Sequence, residues 1–157
     1  MIWVEKALAL AIHERQLAEH GGTGGVRDEG LLESALARPQ QLHAYGDPAP
    51  DLCDLAAALA YGLARNHPFL DGNKRTAHVA YRTFLELNGA ELVATDEEKY
   101  LTMLMLAEGK LGERDFAAWL RERVRARGRG EAHEPSPAYR AKPRAARSRR
   151  TQPHAAG

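Results

Sequence analysis

Side chains that can carry chemistry are crowded into one short stretch of the sequence, HPFLDGNKRT. An imidazole (His67), a carboxylate (Asp71) and two cations (Lys74 and Arg75) lie within nine positions, with Gly72 between them. Histidine is the side chain that exchanges a proton near neutral pH, and cations bind phosphate oxygens through charge-assisted hydrogen bonds. The stretch therefore predicts a phosphoryl or nucleotidyl transfer site, in which His67 deprotonates a hydroxyl group that attacks phosphorus.

The backbone of the same stretch predicts an anion site. Pro68 ends one helix by disfavouring helical backbone at His67, and a new helix begins at about Gly72-Asn73. The first N–H groups of a helix have no intrahelical partners and carry partial positive charge. A helix terminus gives only about 0.3–1 kcal/mol to a charge, whereas micromolar binding requires about 8 kcal/mol. Lys74 and Arg75 are therefore predicted to supply the remaining attraction, although cations in a first turn disfavour the helix itself.

Two interpretations of Asp71 stay open at this point. A magnesium ion prefers one or two carboxylates together with substrate phosphates, which makes Asp71 a candidate Mg²⁺ ligand. Asp71 can equally be a cap of the following helix. A zinc site is disfavoured, because the sequence contains no cysteine pair and no His-x-x-x-His spacing. His13, His20, His43 and His78 are interpreted as surface or packing residues.

Apolar periodicity and helix breakers predict an all-α protein, a compact bundle of about six helices. The predicted helices are residues 2–20, a short helix between Asp28 and Pro39, 51–66, 73–88, 96–108 and 113–124. Asp28 is a predicted N-cap, and Thr95 with Glu98 forms a capping box. Between the helices, GGTGG at residues 21–25 is interpreted as a flexible connector, and residues 38–50 as an ordered loop. No strand pattern is found.

Composition limits the class of protein. The chain has 157 residues, 44% hydrophobic content and one cysteine, Cys53, interpreted as a buried thiol. No run reaches the roughly 18 apolar residues that a membrane span needs, and no secretory signal pattern is found, so a cytoplasmic location is expected. Residues 128–157 hold seven basic and two acidic residues. The predicted domains are a helical domain at 1–127 and a basic disordered tail at 128–157.

The stretch HPFLDGNKR, residues 67–75, resembles the signature of the Fic/Doc superfamily, His-Pro-Phe-x-Asp/Glu-Gly-Asn followed by basic residues. The order of helices over residues 1–125 and the segment VRDEGLLESALARPQ, residues 26–40, are similar to the death-on-curing (Doc) branch. The resemblance implies ATP as co-substrate and Mg²⁺ as cofactor. It implies the following roles: His67 as general base, Phe69 as core anchor, Asp71 as the Mg²⁺-binding acid, and Gly72, Asn73, Lys74 and Arg75 as the phosphate-binding residues.

Departures from the signature bear on which group is transferred. Fic adenylyltransferases carry a second glycine where this chain has Lys74 and a second arginine where it has His78. Both departures resemble Doc, which implies transfer of the γ-phosphate of ATP to a threonine of elongation factor Tu and arrest of protein synthesis. Gly72 matches the Fic signature instead, so adenylyl transfer stays an alternative. A second alternative is a non-catalytic helical module that only binds an antitoxin or nucleic acid.

The resemblance also implies partners. Fic proteins are often inhibited by a glutamate in a Ser/Thr-x-x-x-Glu-Gly/Asn helix, and neither Glu29-Gly30 nor Glu108-Gly109 fits that pattern. Inhibition in trans by a separate antitoxin is therefore expected, with the loop at 38–50 as the flap that docks the target. Nucleic-acid contact by the basic tail is possible but less favoured than a solvated extension. Arg65 cannot be assigned to the site from its spacing.

Overall fold

The computed structural model describes residues 1–127, which contain six α-helices and two short β-strands. The helices are α1 (Lys6–His20), α2 (Glu29–Tyr45), α3 (Leu52–Asn66), α4 (Asn73–Leu87), α5 (Asp96–Glu108) and α6 (Glu113–Arg123). The strands β1 (Ala90–Leu92) and β2 (Val124–Ala126) form a two-stranded sheet. The predicted all-α bundle of about six helices is confirmed. The predicted disordered tail at 128–157 lies outside the described residues.

The third helix is the centre of the fold and packs against α2, α4, α5 and α6. Ten of its fifteen residues are buried, as expected of a helix that is apolar on all sides. Small residues let its neighbours approach closely: a Cβ added at Gly62 would lie 3.1 Å from Cβ of Ala35 on α2. The two helices that flank the chemistry-bearing stretch, α3 and α4, are therefore fixed by the densest part of the core.

The prediction that the second helix ends at Pro39 is wrong. The helix continues through Pro39 to Tyr45, so the predicted loop at 38–50 is reduced to residues 46–51. A proline inside a helix removes one hydrogen bond and costs about 3 kcal/mol. Pro39 is buried, and packing of α2 along α3 offsets that cost. The N-cap was predicted correctly, since the Asp28 carboxylate accepts a hydrogen bond from Leu31 N at 2.9 Å.

Both ends of the described chain differ from the periodicity-based prediction. The first helix begins at Lys6 and not at residue 2, because Ile2 is bound to the end of α4 through two hydrogen bonds of 2.8 Å with the Asn88 side chain. The two strands were not predicted, because three residues each are too few for an alternating pattern. Cys53 is buried as predicted, and burial raises the pKa of its thiol to about 11.

Among residues 1–127, no helix combines the length and the apolar character that crossing a membrane requires.

Candidate active site

The loop between α3 and α4 begins with an unusual backbone conformation at His67. This residue caps the C-terminus of α3 with φ 51° and ψ 57°, the left-handed region that non-glycine residues rarely adopt. The Arg27 guanidinium lies across this helix end. Its Nε donates to His67 O at 2.7 Å and its Nη2 donates to Asn66 O at 2.9 Å. Arg27 therefore satisfies two terminal carbonyls of α3 and holds the predicted base in its left-handed position.

The segment that precedes α2 pairs with the loop. Val26 forms an isolated antiparallel bridge with Phe69, Arg27 N donates to Pro68 O at 2.7 Å, and Leu70 N donates to Gly25 O at 3.1 Å. The GGTGG segment connects α1 to α2 as predicted, but it is ordered by its contacts with the loop. A Cβ added at Gly22 would lie only 2.8 Å from Oδ2 of Asp71. The glycines thus allow the connector to approach the site closely.

Phe69 and Asn73 close the turn from inside. Phe69 is 1% exposed, which confirms its predicted position in the core. The Asn73 side chain forms two hydrogen bonds with the Phe69 backbone: Oδ1 accepts from Phe69 N at 2.9 Å and Nδ2 donates to Phe69 O at 3.0 Å. The amide side chain of Asn73 is therefore engaged in shaping the turn. What Asn73 offers to a ligand is its backbone N–H in the first turn of α4.

His13 of α1 contributes to the site, and sequence reasoning did not single it out. Its ring is 3% exposed and stacks on Phe69 with a centroid distance of 3.8 Å and an interplanar angle of 8°. Its Nε2 lies 2.8 Å from the carbonyl oxygen of Asp71. His13 was predicted to be a surface or packing residue, and it is packed, against the loop between α3 and α4.

Asp71 carries its carboxylate at the mouth of the turn and is exposed. Hydrogen bonds from Thr23 N to Oδ2 at 3.2 Å and from Gly72 N to Oδ1 at 2.8 Å lower the pKa of this carboxyl below its ordinary value, and the nearby Arg75 and His13 add to the effect. Asp71 is therefore ionised at neutral pH. The N-cap of α4 is Gly72 and not Asp71.

An ionised, exposed carboxylate with free lone pairs suits Mg²⁺, an ion that takes most of its ligands from water and phosphate. Within the described part of the chain, no group of three or more His, Cys, Asp or Glu side chains could hold a metal ion. Asp71 would therefore be a single protein ligand beside phosphate oxygens.

The N-terminus of α4 lacks the usual stabilising groups. Gly72 adopts φ 75° and ψ 21°, no side chain caps the helix, and its first turn contains no acidic residue. Thr76 N donates to Gly72 O at 3.0 Å, so the N–H groups of Asn73, Lys74 and Arg75 precede the first intrahelical bond. Lys74 is exposed, and Arg75 is half-buried with an Nε that has no hydrogen-bond partner.

The predicted site residues share one cleft of about 390 Å³, within the usual range for small-molecule sites. Its lining contains all six of them, His67, Asp71, Gly72, Asn73, Lys74 and Arg75, together with Leu70, Ala107 and Glu108. Glu108 lies at the C-terminus of α5, 33 positions after Arg75 in the sequence. No local pattern could have shown that α5 closes the far side of this cleft.

Arg65, which the sequence left unassigned, and His78, which was predicted to be a surface or packing residue, both lie outside the lining. Arg65 donates from Nη1 to Ala107 O at 3.0 Å and thereby binds the C-terminal turn of α5. His78 is half-buried on α4. Burial, together with the charges of Arg82 and Lys99, lowers the pKa of His78 from 6.5 to about 4. His78 is therefore neutral near pH 7.

Comparison with known proteins identifies relatives of this chain. Residues 3–85 match the Fic/DOC family. A protein named Toxin Doc, from Mycolicibacterium smegmatis (strain ATCC 700084 / mc(2)155), is 57% identical over 75 residues, which cover 47% of this chain and 57% of the relative. Protein kinase doc of Escherichia phage P1 is 34% identical over 94 residues, which cover 60% of this chain and 74% of that protein. The family match includes the whole loop between α3 and α4.

Proposed function

Because the chain belongs to the Fic/DOC family, we propose that it is a toxin enzyme that transfers the γ-phosphate of ATP to a hydroxyl group of a protein. The observation that carries this proposal is the single cleft that gathers a histidine, an ionised carboxylate, two cations and an uncapped helix N-terminus. One relative is named a toxin and another a protein kinase, which agrees with both parts of the proposal.

The proposed chemistry assigns the proton transfer to His67. Its exposed ring lines the cleft, where it can accept the proton of a substrate hydroxyl. The hydroxyl oxygen forms a bond to the γ-phosphorus while the bond between that phosphorus and the β,γ-bridging oxygen breaks. ADP leaves with the electron pair, and the proton stays on the imidazole. Arg27 acts by holding the backbone of His67.

Phosphate binding is assigned to the start of α4. The N–H groups of Asn73, Lys74 and Arg75 carry partial positive charge, and the side chains of Lys74 and Arg75 supply full charges at the same cleft. Phosphoryl transfer depends mainly on such positioning and charge neutralisation. Bound Mg²⁺ would neutralise phosphate oxygens, and Asp71 is the residue that would hold it.

Two residues favour phosphate over AMP as the transferred group. Lys74 places a long cation in the lining where the Fic signature has a glycine. His78 stands where that signature has a second arginine, and this half-buried, neutral imidazole cannot act as a phosphate-binding cation. Adenylyl transfer is the alternative, since Gly72 matches the Fic signature.

The proposed substrate is a translation factor, with elongation factor Tu as the first to test, and the proposed inhibitor is a separate antitoxin protein. The flap proposed for substrate docking cannot be the whole of residues 38–50, because residues up to Tyr45 are helical. The remaining loop, 46–51, is the part available for that role.

Expression of the chain beside its His67→Ala variant tests the proposal, with both purified proteins incubated with elongation factor Tu, Mg²⁺ and ATP. Loss of a general base lowers the rate by about 10²–10⁴-fold, and an exposed ring at position 67 should leave the melting temperature unchanged. His43→Ala is the matched control, because His43 is an exposed histidine of α2 outside the cleft.

The mass of the factor distinguishes the alternatives. Growth arrest by the wild type and the control alone, with one phosphate group added to the factor, is the expected result. A mass increase of one AMP group on the factor would show that the enzyme transfers adenylyl groups and not phosphate. Arrest without modification of the factor would point to another substrate, and equal arrest by the His67→Ala variant would reduce the cleft to a binding surface.

A further inference from the structure

A buried histidine from a different helix is bound to the peptide group that separates the carboxylate of the site from its anion-binding turn. His13 lies on α1, 58 positions before Asp71, and its Nε2 is 2.8 Å from Asp71 O. It does not line the cleft. His13 is among four buried polar residues in the described part of the chain. Buried polar groups are nearly always hydrogen-bonded, and the bond to Asp71 O satisfies this requirement for the His13 ring.

The chemistry of the two atoms fixes the direction of this bond. A carbonyl oxygen can only accept, so Nε2 of His13 must carry the proton and donate. Rotation of the ring is restricted, because it is buried and lies flat on Phe69 with a centroid distance of 3.8 Å. Phe69 is itself 1% exposed and bound to Asn73 at its N–H and its carbonyl. The donor is thus presented by a rigid stack.

The orientation of the Asp71–Gly72 peptide decides what the turn offers to a ligand. With the carbonyl oxygen turned to His13, the N–H of Gly72 points the other way, where it donates to Asp71 Oδ1 at 2.8 Å. Gly72 adopts a positive φ of 75°, and glycine permits alternative backbone orientations at little cost. A rotated peptide would present the carbonyl dipole where the N–H now lies and would release the Asp71 carboxylate.

We propose that His13 is a positioning residue that locks the Asp71–Gly72 peptide in the orientation required for phosphate binding. The inference rests on the proposed function, because it assumes that the ligand of the cleft is a nucleotide phosphate. His13 does not touch the reacting atoms. It acts through the peptide group by keeping the Gly72 N–H and the Asp71 carboxylate in place before the ligand arrives.

A matched pair of substitutions separates this role from packing. His13→Gln and His13→Met both remove the ring and have similar length and volume, but only glutamine keeps an N–H donor near the position of Nε2. If His13 is only a packing residue, the His13→Met variant should be folded at least as stably and bind nucleotide at least as tightly as the His13→Gln variant, because position 13 is buried and burying an apolar side chain costs less than burying a polar one. If the hydrogen bond donated to Asp71 O positions the turn, the His13→Gln variant should bind nucleotide more tightly than the His13→Met variant.

The first readout is binding of Mg·ATP by calorimetry, with melting temperatures measured in parallel. Loss of an outer-shell hydrogen bond that orients a metal ligand typically weakens metal affinity or activity by about 10–100-fold, and His13 bonds the backbone of Asp71, the proposed Mg²⁺ ligand. We expect that loss in the His13→Met variant, and partial recovery in the His13→Gln variant, whatever the order of their melting temperatures. His43→Gln is the control for a histidine outside the cleft and should bind like the wild type. Equal affinities in the two variants, or weaker binding by the His13→Gln variant than by the His13→Met variant, would overturn the proposal.

The second readout does not depend on the nucleotide. The amide signals of Gly72, Asn73 and Lys74 in ¹⁵N-labelled protein report the orientation of the turn directly. Both variants lose the ring current of the nearby His13, so they are compared with each other: we expect the Gly72 signal to split or broaden in the His13→Met variant and to stay single and sharp in the His13→Gln variant. Failure of the wild type to bind Mg·ATP would reject the proposed function, while this comparison would still decide the role of His13. Identical Gly72 signals in the two variants would reject the role of His13.

Discussion

Two helices of this protein begin in opposite ways. At the start of α5, the Thr95 hydroxyl accepts a hydrogen bond from Glu98 N at 3.0 Å, and the Glu98 carboxylate accepts one from Thr95 N at 2.9 Å. The first turn of α5 contains three acidic residues. At the start of α4, Gly72 provides no side-chain cap, no acid follows it, and Lys74 and Arg75 occupy the first turn.

The start of α5 is built for stability, whereas the start of α4 is left available for a ligand. A cap contributes about 0.5–2 kcal/mol, and an acid near a helix N-terminus about 0.3–1 kcal/mol. The start of α5 has both contributions and lines no part of the cleft. The start of α4 has neither, and its position is fixed instead by contacts from α1, the connector and the segment before α2. Because other segments fix the N-terminus of α4, its N–H groups need no side-chain cap and remain available to bind an anion.

Charge reversal at Lys74 is expected to have the largest effect. Lys74→Glu makes the first turn of α4 resemble that of α5, which should stabilise the helix by about 0.3–1 kcal/mol. It should nevertheless weaken Mg·ATP binding by at least about 100-fold, because a hydrogen bond to a charged group contributes about 1.5–3 kcal/mol and the new carboxylate repels phosphate. Thermal melting and calorimetry measure the two effects separately.

Arg114→Glu is the matched control for that variant. Arg114 is the second residue of α6, as Lys74 is the second residue of α4, and it does not line the cleft. Its reversal should give a similar gain in stability and leave nucleotide binding unchanged. Unchanged binding by the Lys74→Glu variant would show that the Lys74 side chain binds no phosphate.

A pH dependence of intermediate size is expected from His78, which lies on α4 and interacts electrostatically with Lys99 and Asp96 at the start of α5. Its pKa is about 4 in the folded chain and 6.5 ordinarily. Above pH 6.5 both states are neutral. As the pH falls from 6.5 toward 4 the unfolded chain alone takes up the proton, and stability is lost.

By about pH 5 this loss should amount to about 2 kcal/mol. Melting curves at about pH 7.5 and pH 5 measure the loss, and the His78→Gln variant should show a correspondingly smaller decrease. Equal decreases in the two proteins would mean that His78 titrates normally and that the second turn of α4 is open to solvent.

The smallest effect is expected at the cap of α5. Thr95→Ala removes the hydroxyl that accepts from Glu98 N and should lower the free energy of unfolding by about 1 kcal/mol. Thr95→Ser keeps the acceptor and should recover most of it. The proposed transferase activity should be the same in all three proteins at a temperature where all are folded. Lower activity in the Thr95→Ala variant would mean that the start of α5 also shapes the cleft.

Much of the helical fold could be predicted because its signals are local. The caps at Asp28 and Thr95 and the turn at Pro68 each depend on residues a few positions apart, and the structure confirms all three. Pro39 was misread for the same reason. Its local preference is to end a helix, but the burial of α2 against α3 outweighs that preference.

The composition of the site was determined by the sequence alone, because its six predicted residues lie in one loop and the first turn of the helix that follows it. Their surroundings were decided by tertiary structure. His13, Thr23 and Arg27 contact the loop from 58, 48 and 40 positions away, and Glu108 reaches the cleft from the end of α5. Contacts across such distances arise only when helices pack, and periodicity says which face of a helix is buried without saying which loop it meets. The sequence named the groups that can carry the chemistry, and packing around α3 decided their orientation.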